Sequence, residues 1–426
     1  MNLLKMILER EVYPALGCTE PTAVAYAASI AARELSGSLE QMTISVDPGV
    51  YKNGLAVTVP NTNGERGNLI AGVLGALICR PELKMKILDG GSPELIGRAK
   101  ELIHSKKATI TCNTTWHGLH IEVEASDGTS TVKATLVDNH TNLVLLEKEG
   151  EILFSADPLD EGLQKLDYKS VLKDMQIADL VDLVEQLDDE DYAYLLEGVG
   201  YNRAISTEGL EIKKVGYYLA DLKEKGYLQD DVFSSTKILT AAAADGRMDG
   251  LNLPVMSSGG SGNQGIVAIL VPYNVGLWFK IDERTIIKSI ALSHLVNSYI
   301  KCFTGSLSPI CGCSIAAGVG AAVAIVYQQA GKNIDQITLA VNNLISDLGG
   351  MLCDGAKGGC ALKVVSSTDS AIRSAYMALN NHGITSVEGF IGRSAEETIQ
   401  NLSRISTDAM AGVDDMMIQI MLEKNS

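Results

Sequence analysis

Three cysteines in the last third of the chain have the residue type and the surroundings that metal chemistry needs: Cys311, Cys353 and Cys360. Each lies in a glycine-rich segment, SPICGCSIAAGVGAA around the first and GGMLCDGAKGGCAL around the other two. Glycine adopts positive φ without a Cβ penalty and lets backbone N–H groups approach inorganic sulfide, as an iron–sulfur cluster requires. Three thiolates, rather than four, would leave one metal position open for chemistry.

The spacing of these cysteines leaves three interpretations open: an iron–sulfur site, a zinc site, and three unrelated buried thiols. Six residues separate Cys353 from Cys360, and Cys311 lies 42 positions before Cys353. Structural zinc sites usually use CxxC pairs and four ligands, which makes zinc the weaker metal here. A single buried cysteine is more often a small hydrophobic residue than a ligand. Cys313 is a second candidate ligand in the same turn as Cys311.

Two other segments could take part in the same chemistry. In ALGCTEP, Cys18 precedes the proline that starts a helix, with Thr19 as the expected cap. The positive helix end would lower the pKa of this thiol, which suits a reactive thiolate or a fourth metal ligand. The loop PVMSSGGSGNQGI places glycine and serine before Asn263 and Gln264, a composition that exposes N–H groups to a carboxylate or a phosphate. No Gly-Lys-Ser/Thr follows, so the loop is not a Walker A motif.

The remaining polar candidates are weaker. His140 in DNHTNLV and Lys52 in VYKNG would contact a substrate only if their part of the chain folds over the rest. His294 and Lys357 are further candidates, although a lone histidine is more often a structural residue.

Composition excludes several classes of partner. The 426 residues carry a net charge of −17 and a pI near 4.8, so nucleic acid and anionic membrane surfaces are unexpected partners. Aromatic residues make up only 5%, too few for a base-stacking surface. The first residues contain no uninterrupted apolar run, and eight cysteines are too sparse for a disulfide scaffold. We therefore expect a cytoplasmic protein with reduced thiols.

One segment resembles a membrane span. Residues 309–327 carry no charge and are long enough to cross a bilayer. The run consists mostly of Gly, Ala, Ser and Cys, and no Lys/Arg cluster or aromatic belt flanks it. We interpret it as a central helix that other helices surround.

The periodicity predicts an α+β fold in which a large, mainly helical domain carries an inserted α+β domain with a mixed sheet. Residues 2–12 and 21–36 have helical spacing; TISVDPGVYKNGLAVTVP reads as two strands and ELKMKILDG as another. A helix at 67–79, another in PELIGRAKELIHSKK and a run of strands from 108 to 154 complete this unit, and helices dominate from about 168 onwards. We expect a helical catalytic domain at 1–38 and 165–426 and the inserted domain at 39–160.

Taken together, these segments resemble the L-cysteine desulfidase family, which is related to the iron–sulfur L-serine dehydratases through their α-chain. The resemblance rests on ALGCTEP, VYKNGLAVTVPNT, DNHTNLV, DGRMDG with SSGGSGNQGI, and SPIC followed by MLCDGAKGGCALK. These motifs occur in the same order and cover almost the whole chain.

The resemblance implies a [4Fe–4S] enzyme, independent of pyridoxal phosphate, that converts L-cysteine to pyruvate, ammonia and hydrogen sulfide. It implies that Cys311, Cys353 and Cys360 hold the cluster and that Cys18 is the proton-transferring thiol. Asn263, Gln264, His140 and Lys52 are our candidates for contact with the substrate, a small amino acid.

Three other functions compete with this expectation. An L-serine dehydratase would use the same cluster with hydroxide as the leaving group. A non-catalytic iron–sulfur sensor would bind the cluster without turning over an amino acid. A pyridoxal-phosphate lyase needs a Schiff-base lysine in an α/β fold, which the helical second half argues against. The many apolar helices suggest a homodimer.

Overall fold

The structure is a computed structural model that describes residues 3–116, 118–156, 168–305 and 308–425. Helices predominate, and one six-stranded sheet lies in the N-terminal part, which confirms the predicted mainly helical α+β fold with a mixed sheet. The helices that precede or flank the sheet are α1 (Leu3–Glu11), α2 (Thr19–Arg33), α3 (Pro48–Gly54), α4 (Asn68–Ile78) and α5 (Pro93–His104). The strands are β1 (Pro14–Ala15), β2 (Gln41–Val46), β3 (Ala108–Cys112), β4 (His120–Ser126), β5 (Thr131–Val137), β6 (Leu143–Lys148), β7 (Glu151–Ser155) and β8 (Val255–Met256).

The sheet has the strand order β3-β2-β4-β5-β6-β7. The β2–β3 pair is parallel and the other pairs are antiparallel, so the sheet is mixed. Alternation along β2 buries Met42, Ile44 and Val46 while the residues between them are more exposed. This period of two is what a sheet with one covered face requires.

The helices α2 and α4 cover the buried face of this sheet. The alanine-rich sequence of α2 and the glycines of α4 allow their backbones to approach closely. A Cβ on Gly75 would overlap the carbonyl group of Ala25, and one on Gly72 would reach the side chains of Ile44 and Val24. Small residues therefore fix how these two helices cross.

Two of the predicted strands are wrong. The segment after Asp47 forms the helix α3, because the Asp47 side chain accepts hydrogen bonds from the N–H groups of Gly49 and Val50. Asp-Pro is the signature of an N-cap followed by proline in the first turn, as well as of a reverse turn. ELKMKILDG forms 3-10 turns within Pro81–Gly90, with a break at Lys84, where φ is 46°. Proline at the start favours this helical turn over an extended strand.

The second half of the chain is helical, as predicted. Its helices are α6 (Tyr168–Lys173), α7 (Ile177–Val184), α8 (Asp189–Gly209), α9 (Val215–Glu224), α10 (Val232–Met248), α11 (Gly262–Trp278), α12 (Glu283–Thr304), α13 (Ala316–Ala330), α14 (Ile334–Leu348), α15 (Cys360–Leu379), α16 (Ala395–Arg404) and α17 (Ala411–Asn425), with a π-helical turn at Ile405–Ala409.

The charge-free segment 309–327 ends in α13, which packs against α11, α12, α14 and α15. Nearly every side chain of α13 is buried. Its small residues let neighbours approach, since a Cβ on Gly320 would overlap the Ser293 carbonyl oxygen of α12. Within the described ranges, no helix has the length and apolar character needed to span a membrane.

Two clusters of buried side chains underlie the two expected domains. Helix α1 packs in the cluster of the helical half, as expected, through Leu4, Ile7 and Leu8. Helix α2 differs from our expectation, because its residues Ala23 to Ala31 belong to the cluster beneath the sheet. The domain limits at 1–38 with 165–426 and at 39–160 stay a prediction.

The close approach of α2 and α4 can be tested by adding one methyl group. We expect Gly75→Ala to destabilise the protein by about 1–3 kcal/mol, because the new Cβ has no space against Ala25. Gly200→Ala is the matched control: Gly200 is exposed on α8 with no atom within 4 Å of an added Cβ. It should stabilise the helix by about 0.5–1 kcal/mol. Unfolding followed by circular dichroism measures both, and equal effects would contradict the packing described for α2 and α4.

Candidate active site

One cavity brings together cysteines from distant parts of the chain. Its volume is about 90 Å³, several times the space that one water molecule needs. Helix α10, the start of α11, the end of α12 and the loops before α2, α13 and α15 form its wall. The predicted site residues in that wall are Cys18, Asn263, Gln264, Cys311, Cys313, Cys353 and Cys360.

Backbone hydrogen bonds join the two loops that carry most of these cysteines. The Cys311 N–H donates to the carbonyl of Met351 at 2.8 Å, and the Cys353 N–H donates to the carbonyl of Pro309 at 2.7 Å. Ile310 and the residue before Cys353 thereby form an antiparallel bridge. This short ladder brings the loops of Cys311 and Cys353 together in space, although they are far apart in the sequence.

The loop from Cys353 to Cys360 is fixed against the sheet domain. Gly355 has φ of +91°, and a Cβ there would overlap the carbonyl oxygen of Lys52 on α3. The next residue donates its N–H to the carbonyl of Asn53 at 3.3 Å. Cys360 is the first residue of α15, and its thiol donates a hydrogen bond to the Gly355 carbonyl oxygen, 3.6 Å away. Glycine at position 355 is therefore required both by φ and by the close contact.

A second short ladder brings Cys18 to the same place. β1 pairs with β8 in an antiparallel register, Pro14 with Met256 and Ala15 with Val255. β1 lies just before Cys18, and β8 lies just before the glycine loop that leads into α11. The ladder thus sets the N-terminal cysteine beside that loop.

The cysteines of the two loops crowd one another. The sulfur atoms of Cys311 and Cys313 are 3.2 Å apart. Hydrogen bonding to Cys313 raises the pKa of Cys311 to about 11, and hydrogen bonding to Cys311 raises the pKa of Cys353 well above its ordinary value. Burial raises the pKa of Cys360. Like charges and burial oppose ionisation, so these thiols need positive charge nearby to become thiolates.

Cys311, Cys353 and Cys360 line one cavity, as the thiolate ligands of an iron–sulfur group would. One tetrahedral metal ion would draw its sulfur ligands to within about 4 Å of one another. Among the described residues, no three His, Cys, Asp or Glu side chains are arranged to share one ion. A cluster binds each thiolate to a different iron, so its ligands lie farther apart while facing the same cavity.

The structure contradicts the low pKa that the sequence predicted for Cys18. It is the N-cap residue of α2, in place of Thr19, and its side chain makes no capping hydrogen bond. Its thiol instead donates to the Oε2 atom of Glu20 at 2.9 Å. Burial, followed by the charge of Glu20, raises the Cys18 pKa well above its ordinary value, and the charge of Arg247 opposes them only in part. Desolvation outweighs the helix dipole here.

Asn263 and Gln264 lie in the first turn of α11, where the sequence suggested a loop, and both line the cavity. Both side chains are more than nine-tenths buried. Their carbonyl oxygens have no hydrogen-bond partner within the part of the chain that the structure describes. Since buried amides almost always have partners, both side chains are suited to a ligand.

His140 and Lys52 do not line the cavity. The Nε2 atom of His140 lies 3.9 Å from Glu20 Oε1, so this histidine reaches the cavity only through that carboxylate. The ammonium group of Lys52 pairs with Asp414 of α17 at 2.6 Å. Its backbone supports Gly355, and its charge acts on Cys353 from behind the loop.

The two weaker candidates have structural partners. His294 is fully buried on α12, its Nδ1 atom is 2.8 Å from the Ser258 hydroxyl, and burial lowers its pKa to about 3. Lys357 pairs with Asp354.

Comparison with known proteins shows the family to which the chain belongs. The model of the serine dehydratase alpha chain matches residues 88–419. The chain therefore belongs to the serine dehydratase alpha chain family. Full-length relatives are UPF0597 proteins: one from Geobacter sulfurreducens is 59% identical over 100% of this chain and 99% of its own, and one from Elusimicrobium minutum is 53% identical over 100% of both. A third, from Clostridium tetani, is 40% identical over 99% of both chains.

These matches confirm the predicted relation to the serine dehydratase α-chain. The three cysteines of the two joined loops lie inside the part that the family model matches, whereas Cys18 lies before it. The full-length relatives align with the N-terminal part as well.

Sequence reasoning missed Glu20, a charged residue of this serine dehydratase-like site. Besides the Cys18 thiol, it accepts hydrogen bonds from Thr19 at 3.1 Å and from Asn53 at 3.2 Å. Burial raises its pKa, but the hydrogen bond and charge of His140 and the Cys18 hydrogen bond outweigh burial and hold the pKa below its usual range. Acidic residues are common in the first turn of a helix, so this position alone does not indicate a functional role for Glu20. The one available signal in the sequence was its closeness to Cys18 in ALGCTEP.

Arg247 and Lys301 were also missed. Both line the cavity, and Arg247 belongs to the DGRMDG motif that contributed to the resemblance. Lys301 donates its ammonium group to the carbonyl of Gly259.

The protonation state of Cys18 can be tested by labelling cluster-free protein with iodoacetamide and identifying the modified peptides by mass spectrometry. Only thiolate reacts, so we expect exposed Cys79 to be labelled faster than Cys18, and labelling of both to rise towards alkaline pH.

In the Glu20→Gln variant, Cys18 should react several-fold faster, because the charge that raises its pKa is gone. Glu82→Gln is the matched control, since Glu82 acts on Cys79. Unchanged labelling of Cys18 in Glu20→Gln would contradict the influence assigned to this carboxylate.

Proposed function

We propose that the protein is a [4Fe–4S]-dependent lyase that eliminates hydrogen sulfide from L-cysteine and yields pyruvate and ammonia. One observation carries the proposal: the thiols of Cys311, Cys353 and Cys360 line the same small cavity as Cys18. Membership in the serine dehydratase alpha chain family supports a β-elimination at an amino acid.

Cys311, Cys353 and Cys360 would hold the cluster in this proposal. When bound, the cluster would supply positive charge for the three thiolates and one iron without a protein thiolate, able to act as a Lewis acid. The short ladder between the two loops and the contact of Gly355 with Lys52 hold these cysteines in place. Cys313 remains the alternative to Cys311, because their sulfur atoms are only 3.2 Å apart.

In this proposal, Cys18 and Glu20 handle the transferred proton together. Elimination breaks the Cα–H bond and the Cβ–S bond, forms a Cα–Cβ double bond, and releases hydrosulfide with the electron pair of the broken C–S bond. Cys18 is the proposed acceptor of the Cα proton, yet its raised pKa keeps a proton on its sulfur. This proton must leave the sulfur before the thiolate can accept the one from Cα, and Glu20 Oε2, 2.9 Å away, is the acceptor within reach, although the lowered pKa of Glu20 opposes the transfer.

The remaining steps need only water. The aminoacrylate that elimination produces tautomerises to an imine, and water hydrolyses the imine to pyruvate and ammonia. One proton leaves, from Glu20 to the released hydrosulfide, which gives hydrogen sulfide and returns Glu20 to its carboxylate, while Cys18 keeps the proton from Cα and is again a thiol.

Asn263 and Gln264 would bind the polar end of the substrate. Neither amide has a hydrogen-bond partner in the described chain, so each offers an oxygen to an ammonium group and an N–H to a carboxylate. His140 and Lys52, predicted as contacts, would act one step away, His140 on Glu20 and Lys52 on the loop of Gly355.

A second candidate is an L-serine dehydratase with the same cluster. The name of the matching family favours it, and the same proton path would serve. The difference lies in the leaving group, since hydroxide leaves less readily than hydrosulfide. We favour L-cysteine because the motifs of the N-terminal part resemble the desulfidases.

Ligand assignment can be tested by anaerobic reconstitution with iron and sulfide. We expect about four irons per chain and a visible charge-transfer band in the wild-type protein. Cys311→Ser, Cys353→Ser and Cys360→Ser should each lose most of that absorption, whereas Cys79→Ser, at an exposed cysteine, should keep it. Cys313→Ser should keep it too; loss in Cys313→Ser but not in Cys311→Ser would reverse the assignment of these two.

Turnover by the reconstituted protein tests the reaction. We expect pyruvate and sulfide from L-cysteine at a higher kcat/KM than pyruvate from L-serine. Cys18→Ser should lower kcat by about 100- to 10,000-fold, the usual contribution of a general base, with its cluster absorption intact. Cys79→Ser again serves as the control.

Each result bears on a different part of the proposal. Faster turnover of L-serine would favour the dehydratase. A loaded cluster without turnover of either amino acid would indicate a sensor, and full activity in Cys18→Ser would remove this thiol from the proton path.

A further inference from the structure

Arg247 is a buried cation that forms no ion pair with any acidic side chain that the structure describes. Its side chain lies on α10 with a relative exposure of 3%. Its Nε atom has no hydrogen-bond partner, and within the described residues no carboxylate lies within 4.0 Å of the guanidinium group. Burying a charge is costly unless the charge is paired, so this position is built to receive an anion.

The first turn of α11 faces the same point with unused hydrogen-bond donors. Ser261 is the N-cap residue but provides no side-chain cap. In the described chain, the N–H groups of Gly262, Asn263 and Gln264 meet no acceptor. The helix continues to Trp278, so its dipole adds positive potential at this end.

Contact between Arg247 and Gly262 brings these two features together. A Cβ on Gly262 would overlap the Nε and Cδ atoms of Arg247. The guanidinium group therefore lies directly on the first residue of α11, and a side chain at position 262 would separate the cation from the helix end. Arg247 lines the cavity together with Ser261, Asn263 and Gln264 of the α11 end.

The charge balance of the cavity wall favours one carboxylate. Glu20 is the acidic residue of the wall, and it is already engaged with Cys18, Asn53 and His140. Of the cations in the wall, Lys363 pairs with Asp354 at 2.6 Å, whereas among the described residues no carboxylate lies within 4.0 Å of the charged groups of Arg247 or Lys301.

We propose that Arg247 and the first turn of α11 bind the α-carboxylate of an amino-acid ligand. The guanidinium group and successive backbone N–H groups can donate to both carboxylate oxygens, and Lys301 adds positive charge. The site selects ligands with a free α-carboxylate and rejects amides, esters and residues inside a peptide. That the ligand is an amino acid rests on the proposed function.

The test compares L-alanine with L-alaninamide as probes of the reconstituted protein. Both keep the α-ammonium group and lack a leaving group, and only L-alanine has the carboxylate. Ligand-detected NMR titration gives the two dissociation constants without any turnover. We expect the wild-type protein to bind L-alanine about 10- to 100-fold more tightly, the usual effect of a hydrogen bond to a charged group.

Arg247→Met should reduce this preference to near unity, and Arg247→Lys should retain part of it because the charge remains. Arg203→Met is the matched control, since Arg203 is exposed on α8 and should leave the preference unchanged. Arg247→Lys also serves if Arg247→Met does not fold, because an undiminished preference in the lysine variant would count against bidentate binding by the guanidinium group.

Several outcomes would overturn the site. One is that wild-type protein binds the two probes equally or binds neither. Another is that Arg247→Met keeps the full preference for L-alanine. Loss of iron from Arg247→Met with the preference retained would show that the arginine serves the cluster's charge instead. Tight, carboxylate-dependent binding of L-alanine without elimination from L-cysteine would leave the site standing and refute the proposed reaction.

Discussion

Two backbone hydrogen bonds hold the candidate site together. They run from Cys311 to Met351 and from Cys353 to Pro309, and they join loops that the chain would otherwise keep apart. The helices α13 and α15, which follow these loops, pack against each other and against neighbouring helices, so the bridge between the loops has rigid ends. Gly355 then ties the bridged pair to α3 of the sheet domain. The positions of Cys311 and Cys353 in the cavity depend on this short ladder.

The electrostatics of the cavity are unbalanced without a ligand. The same wall holds thiols that resist ionisation and a buried arginine that pairs with no carboxylate among the described residues. Metal ions at the thiols and a carboxylate at the arginine would relieve both penalties. The carboxylate of Glu20 lies in this wall as well, already ionised and bonded to the Cys18 thiol. A zwitterionic amino acid has charges of both signs and fits such an arrangement.

The sequence predicted the helical and sheet regions and the cysteines that meet, because hydrophobic periodicity and glycine-rich cysteine motifs are local signals. It did not distinguish α3 from a strand, since Asp-Pro begins turns and helices alike. Nor did it predict the role of Lys52, whose partner Asp414 lies 362 positions away. That the Nε atom of Arg247 has no hydrogen-bond partner among the described residues, and that Glu20 raises the pKa of Cys18, are properties of the folded neighbourhood that no local pattern encodes.

The cavity draws on both ends of the chain, and this affects how the protein is made. Cys18 and its helix leave the ribosome early, whereas Cys353 and Cys360 emerge only when most of the chain has been synthesised. The sheet domain has its own buried cluster and can form first, as N-terminal domains generally do. Helix α1 must meanwhile wait for α12, against which it packs. Assembly of the cavity therefore belongs to the end of biosynthesis.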